Sequence, residues 1–191
     1  MVRLLGSLFG GRPAPAASPT PATADPQGEP PSFEQYLAVA IRHSRALTPR
    51  GEAVMTEHIR QFAQIACEGA DRRDDARRNA RHAAENALDI RAAELLRIPL
   101  SPRRTLTSFA AELYRDAMLR KARHDAVVQM RLFCSEMTLN VLDTGAECDW
   151  CKANDGKAFP VSEDPNELLA RHCSCAPYSS ATFYPAEVHC G

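Results

Sequence analysis

Cys148-Asp-Trp-Cys151 and Cys173-Ser-Cys175 place four thiols in two close pairs separated by twenty-one residues, with His172 beside the second pair. Soft donors arranged this way suit tetrahedral zinc, because thiolates neutralise a divalent ion and two short turns can bring both pairs to one point. The expected ligands are Cys148, Cys151, Cys175 and either Cys173 or His172, since adjacent side chains diverge and both are not expected to bind one ion. His189 and Cys190 read as tail residues rather than ligands. Unliganded or disulfide-linked cysteines are the competing reading. A thioredoxin-like redox pair fits poorly, because Lys152-Ala-Asn-Asp-Gly156 turns too soon to supply the helix which that chemistry uses.

Such a metal would be structural. Four protein ligands leave no coordination position open to a substrate. Other catalytic patterns are equally thin. His82-Ala-Ala-Glu85 has the wrong spacing for a nucleobase deaminase, and Cys148 follows Glu147 rather than Pro. The chain contains no His-Glu-x-x-His, no Gly-x-Ser-x-Gly and no phosphate-binding Gly-x-x-x-x-Gly-Lys. Glu112 and Asp116, one helical turn apart, have Arg115 and Arg120 close by and read as salt-bridged surface rather than as an acid–base pair. No catalytic residue is expected.

The seven cysteines stand at positions 67, 134, 148, 151, 173, 175 and 190, and their odd number argues against a fully paired secreted framework. Cys67 and Cys134 fall in helical apolar patterns, where a thiol acts as a small hydrophobe. Residues 141–191 carry eight Asp/Glu and three Lys/Arg, a net of −5, which leaves +4 on residues 1–140. Neither part has the clustered positive surface that nucleic acid demands. Arg72, Arg73, Arg77, Arg78 and Arg81 are interspersed with Asp71, Asp74 and Asp75 and read as a solvated helix face. No apolar run is long enough to cross a bilayer. Glycines interrupt the apolar stretch near Met1, so no secretory signal is expected there.

The elements that must position the thiols follow from periodicity. Residues 1–31, dominated by Pro, Ala, Thr and Gly from residue 11 onward, form a flexible N-terminal arm by composition. Residues 32–142 form the helical domain. Helical pattern starts near Ser32, and Thr48-Pro49 opens a helix carrying Met55, Ile59, Phe62 and Ala66 on one face. An alanine stripe follows through Ala76, Ala80, Ala83 and Ala87. Pro99 stops that segment and Ser101-Pro102 starts another, expected to run to about Leu142, or about 60 Å if unbroken. The fold expected is mainly α: a long helical hairpin of residues 50–97 against 102–142, or its kinked equivalent, followed by a small zinc-stabilised α+β module over 143–178. Within the module, Lys157–Val161 reads as a strand after the Asp155-Gly156 turn, and residues 165–170 as one helical turn. Residues 179–191 read as an extended tail.

Asp143-Thr-Gly-Ala-Glu-Cys-Asp-Trp-Cys-Lys-Ala-Asn-Asp-Gly-Lys-Ala-Phe159, followed by His172-Cys-Ser-Cys175-Ala-Pro177, resembles the C-terminal region of phage Mu F-like minor head proteins, also called head morphogenesis proteins. Their pattern is a helical region, Cys-x-x-Cys, Asp-Gly-Lys-x-Phe, then His-Pro-x-Cys-Arg-Cys. Ala111–Ala117 is similar to the helix leading into that module, so the resemblance spans residues 105–178. The second half departs from the pattern. Ala170 stands at the family's histidine position, Arg171 replaces its Pro, and Ser174 replaces its Arg. The resemblance implies a minor structural protein of a tailed-phage head or portal region, without catalysis. It implies portal or major capsid protein as partners, several copies per particle, incidental DNA contact at most, and residence in a virion or, during assembly, in host cytoplasm. Neither a membrane nor a small-molecule substrate is implied. The alternative is a zinc-bearing adaptor that contacts nucleic acid or a protein partner.

Overall fold

A computed structural model describes residues 30–63, 75–142, 145 and 147–186. All but the last two residues of the expected N-terminal arm lie outside these, as do Cys67, Arg72, Arg73, His189 and Cys190. The described chain is mainly helical with a small β-containing module.

Helix α1 spans Phe33–Ser44, and its start is fixed by a reciprocal cap in which the Ser32 backbone N–H donates to Gln35 Oε1 at 2.7 Å. It buries Tyr36, Leu37, Ala40 and Ile41 and stops where Arg45 turns left-handed at φ 53°. Helix α2, Pro49–His58, opens on Thr48, whose hydroxyl accepts the Gly51 N–H at 3.0 Å; a π-helical turn, Ile59–Ala63, follows. Helices α3 (Asp75–Ile90) and α4 (Ala92–Leu95) return the chain to the α2 entrance. There the Thr48 N–H donates to Leu95 O at 2.9 Å, and the Arg97 N–H donates to Ala46 O at 2.8 Å. The approach is so close that a Cβ on Gly51 would lie 2.1 Å from Leu95 O. Only glycine fits there.

Helix α5, Leu106–Met130, has 25 residues and therefore extends about 38 Å. Its cap is Thr105, paired with Ser108, rather than the expected Ser101. Ser101 instead accepts a turn bond from Arg104 N–H at 2.9 Å. The helix also ends earlier than expected. After Met130 a turn ends on Cys134, and Glu136–Asn140 is strand β1, not helix. Met137 satisfies both the helical stripe and a two-residue alternation with Leu139. The alternation prevails because Met137 and Leu139 are completely buried between two partner strands. The expected helical domain over 32–142 thus overruns by a strand. Nor is there a simple hairpin of two long arms, because the most extensive helix contact of α5 is with α1.

The remaining elements are α6 (Asp149–Asn154), β2 (Ala158–Pro160), α7 (Pro165–His172) and β3 (Thr182–Pro185). The sheet order is β2-β1-β3, antiparallel throughout, with Met137 opposite Phe159 on one side and Leu139 opposite Phe183 on the other. At the turn before β2, Gly156 has φ 75° and donates to Leu139 O at 2.8 Å. The expected 179–191 tail is corrected over 182–185. Those residues pair with β1, and Ala181 and Phe183 are buried, because β1 offers a second edge that must find hydrogen-bond partners.

Among the described residues two apolar cores result. The first joins α1, α2, the π-helical turn, α3, α4 and the first half of α5; the second joins Val127 and Met130 of α5 to Met137, Leu139, Val161, Leu168, Leu169, Ala181 and Phe183. Helix α5 belongs to both. A fully buried Leu or Met contributes about 1.5–3 kcal/mol by leaving water.

Candidate metal centre

The thiols gather where the start of one short helix meets the end of another. Cys148 is the residue before α6 and Cys151 lies one turn inside it, so both sulfurs leave the same side. The turn is closed by the Lys152 N–H donating to Cys148 O at 3.1 Å and by Asn154 Nδ2 donating to Trp150 O at 2.6 Å. Helix α7 begins at Pro165 behind Asp164, whose carboxylate accepts the N–H groups of Asn166 and Glu167 at 2.8 and 2.9 Å. It ends as the Cys173 N–H donates to Leu169 O at 2.8 Å. Buried Leu168 and Leu169 seat α7 in the second core and carry the Cys-x-Cys segment to the other pair.

The four Sγ atoms of Cys148, Cys151, Cys173 and Cys175 lie within 4.8 Å of one another. Three separations are 3.9 Å for Cys148–Cys173, 3.5 Å for Cys151–Cys173 and 3.7 Å for Cys151–Cys175. A regular tetrahedron with metal–sulfur bonds of about 2.3 Å has edges of about 3.8 Å. The fit is close. All four cysteines are free thiols; Cys151 is fully buried and the others partly so. Backbone N–H groups already point at the sulfurs: Cys148 N–H donates to Cys175 Sγ at 3.2 Å, Ser174 N–H to Cys148 Sγ at 3.4 Å, and Cys175 N–H to Cys173 Sγ at 3.4 Å. Such donors stabilise thiolate and orient it.

Without a cation the cluster is electrostatically unbalanced. Burial opposes ionisation of Cys148, but the N–H groups of Cys151 and Ser174 and the thiols of Cys151 and Cys175 outweigh it, bringing its pKa down to about 6. Burial and the neighbouring sulfurs Cys173 and Cys148 push Cys151 far up. Burial, together with the Cys173 and Cys148 thiols, raises Cys175 to about 11 against the opposing Cys148 N–H. One thiolate therefore forms readily and suppresses the next. A divalent ion removes that repulsion and releases the remaining protons.

His172 stands outside the sulfur cluster. Its ring stacks on Trp150 at 5.3 Å and 13°, while Trp150 meets Phe159 at 6.3 Å. Of the two adjacent candidates, Cys173 joins the four sulfurs and His172 covers the neighbouring indole. Cys134 also lies apart, with its thiol donating to Met130 O at 3.3 Å. Glu112 and Asp116 each have an arginine partner, Glu112 with Arg104 and Asp116 with Arg120, the latter at 3.0 Å.

Sequence reasoning overlooked Arg123. It is 4 % exposed, and its Nε donates to Ala181 O at 2.7 Å, Nη1 to Asn166 Oδ1 at 3.4 Å, and Nη2 to Ser179 O. A signal existed: Ala117, Arg120, Arg123, Val127 and Met130 follow helical spacing, so two cations occupy a stripe that otherwise faces the core. Comparison of the chain with protein-family models, with curated proteins and with solved structures gives no match. Among the described residues no helix is long and apolar enough to cross a membrane.

Proposed function

We propose that this chain is a zinc-bearing structural adaptor whose partner is a protein. The observation that carries the reading is the four-sulfur cluster with near-tetrahedral spacings. An all-thiolate tetrahedron favours zinc or iron, and a closed set of four ligands favours a structural ion over a catalytic one. Cys148, Cys151, Cys173 and Cys175 would hold zinc, which would neutralise their charge and fasten α6 to α7. A protein partner is favoured over nucleic acid because, apart from exposed Arg115, the Lys and Arg side chains of α5 and its C-cap are already engaged within the chain. Arg120 is paired with Asp116, Lys121 with Asp125, and Arg131 donates to Val161 O at 2.8 Å. Arg123 is buried. Arg81 on α3 is paired with Glu85. Each of these groups would have to leave an acceptor within the chain to neutralise a phosphate, at little cost for the exposed Lys121 pair and at more for buried Arg123.

A second reading is a minor structural protein of a tailed-phage head or portal region. Its support is the motif order: Cys-x-x-Cys, Asp155-Gly-Lys-Ala-Phe159, then Cys173-Ser-Cys175. On that reading the partners are portal or major capsid protein, with several copies in a particle.

Elemental analysis of protein purified without added metal tests the first premise. About one zinc per chain is expected; a coloured iron-loaded protein, or a folded metal-free one, rejects it. Duplex DNA titration and co-purification with portal and capsid proteins then separate the partners. Tight DNA binding that weakens steeply with salt would overturn the protein-adaptor assignment. Recovery in portal-containing assembly intermediates would establish the phage role.

A further inference from the structure

Arg123 is a buried charge without a carboxylate of its own. Each acceptor it reaches is neutral: the carbonyls of Ala181 and Ser179 and the amide oxygen of Asn166. The nearby buried carboxylate, Asp116, is engaged by Arg120 at 3.0 Å. Two guanidinium groups and one carboxylate leave an excess positive charge along the inner face of α5. Leaving such a charge uncompensated is costly, and hydrogen bonds to neutral acceptors offset only part of that cost.

The thiol cluster has the opposite excess. Four thiolates around a divalent cation keep two units of net negative charge. Val127, one turn from Arg123, packs in the core against which Cys173 also rests. Burial draws the Arg123 pKa down to about 10; Asp116 favours its charged form, Arg120 opposes it, and Cys173 and Cys151 favour it more weakly. The contacts of Arg123 also bracket the second thiol pair in sequence. Asn166 opens α7, which ends at Cys173, while Ser179 and Ala181 follow Cys175. Asn166 is itself tied back to α5, donating through Nδ2 to Arg120 O at 2.9 Å.

We infer that Arg123 is a positioning residue for the metal centre. It is the outer counter-ion of the tetrathiolate and the strut that holds both flanks of Cys173-Ser-Cys175 against α5. This rests on the metal reading above. Metal binding and docking of α5 onto the module are then one linked equilibrium, in which each strengthens the other by the same factor.

The test uses the full chain, with zinc affinity measured by competition against a chelator and sulfur ligation read from the cobalt(II) charge-transfer spectrum. Arg123→Met is expected to keep that spectrum and weaken zinc about tenfold or more, as loss of an outer-sphere partner does. Arg123→Lys, which keeps the charge but not the fork, should lose about threefold or less. Asn166→Asp gives Arg123 a private carboxylate and should also weaken zinc, by about threefold or more. The rise in thermal midpoint on adding zinc should shrink in Arg123→Met and Asn166→Asp and survive in Arg123→Lys. A purely structural arginine would lower the midpoints of zinc-loaded and chelated protein alike and leave the rise intact.

Zinc affinity of Arg123→Met within about twofold of the parent overturns the inference while leaving the metal centre standing. Should Arg123→Met not fold, unchanged affinity in Asn166→Asp overturns it equally. A parent chain that binds neither zinc nor cobalt overturns both readings.

Discussion

At Cys148 and Cys151 a substitution removes two sulfurs but little volume, so its consequences are those of losing ligands. Cys148→Ser with Cys151→Ser should reduce bound zinc from about one per chain to none, removing the metal's contribution of about 10 kcal/mol or more to folding of the module. Trp150, stacked on His172 and tilted against Phe159, reports the outcome through its fluorescence. Retained zinc or an unchanged emission would contradict the assigned ligand set. His58 offers a second test at this scale, in the helical part. It is 9 % exposed, and burial lowers its pKa below the ordinary value of 6.5 against the opposing influence of Glu85 and Asp89. The folded chain therefore keeps His58 neutral while the unfolded chain protonates near pH 6.5, so the unfolded state binds more protons. Stability from this group is complete above pH 6.5 and falls as acid is added through the interval down to the lowered folded pKa. Urea midpoints of the parent and His58→Gln, compared from pH 7.5 downward, should converge below about pH 6.5. Parallel pH profiles would remove His58 from the account.

Among the elements, the junction of α2 with α4 leaves no room for an added methyl group. Gly51→Ala would drive a methyl group into the Leu95 carbonyl, a backbone atom that cannot rotate aside. The expected loss is about 1–3 kcal/mol or more, seen as a lower urea midpoint with unchanged denaturant slope. An unaffected midpoint would mean that α4 can shift away from α2. The same junction shows which elements were legible beforehand. Thr48-Pro49 announces α2 through local chemistry, a capping hydroxyl and a proline already suited to the first turn. Asp155-Gly156 similarly announces the turn into β2, because only the immediate chain is involved. Strand β1 was hidden, since Met137 fits periods of both two and about 3.6, and choosing between them requires knowing that β2 and β3 lie alongside. Strand β3 was hidden for a related reason. Phe183 and Tyr184 sit among Pro, Ser and Ala, and their pairing partner is more than forty residues earlier. The two cysteine pairs were legible by spacing, whereas the choice between His172 and Cys173 depended on where Trp150 stacks. Arg123 went unnoticed because a cation interrupting an apolar stripe reads locally as a solvent-facing residue.

For the molecule as a whole, the sharing of α5 between two cores decides how folding responds to metal. Zinc-loaded protein should unfold in a single transition, with Trp150 fluorescence and far-ultraviolet circular dichroism changing together. Chelation should lower the Trp150 midpoint and separate it from the helical signal, because Tyr36, Leu37, Leu113 and Ala117 still hold α1 on the first half of α5. Coincident transitions before and after chelation would show that the cores do not part. The same division would matter for partners: with zinc bound as proposed, the module would supply a fixed end whose shape depends on metal, while the helical core would persist without it. A partner that grips the module would then be released by chelation, and one that grips α1 or α2 would remain bound.

The position of β3 after the last thiol has a consequence for the order of folding. All four sulfurs precede Thr182–Pro185 in the chain, so they can meet an ion while one edge of β1 still lacks its partner and Phe183 is outside the core. During that interval an ion can gather α6 and α7 into place and shape the socket that β3 enters. The metal would then act as a template for strand addition as well as a clamp on the finished protein, making zinc supply during folding a determinant of how much chain reaches the folded state.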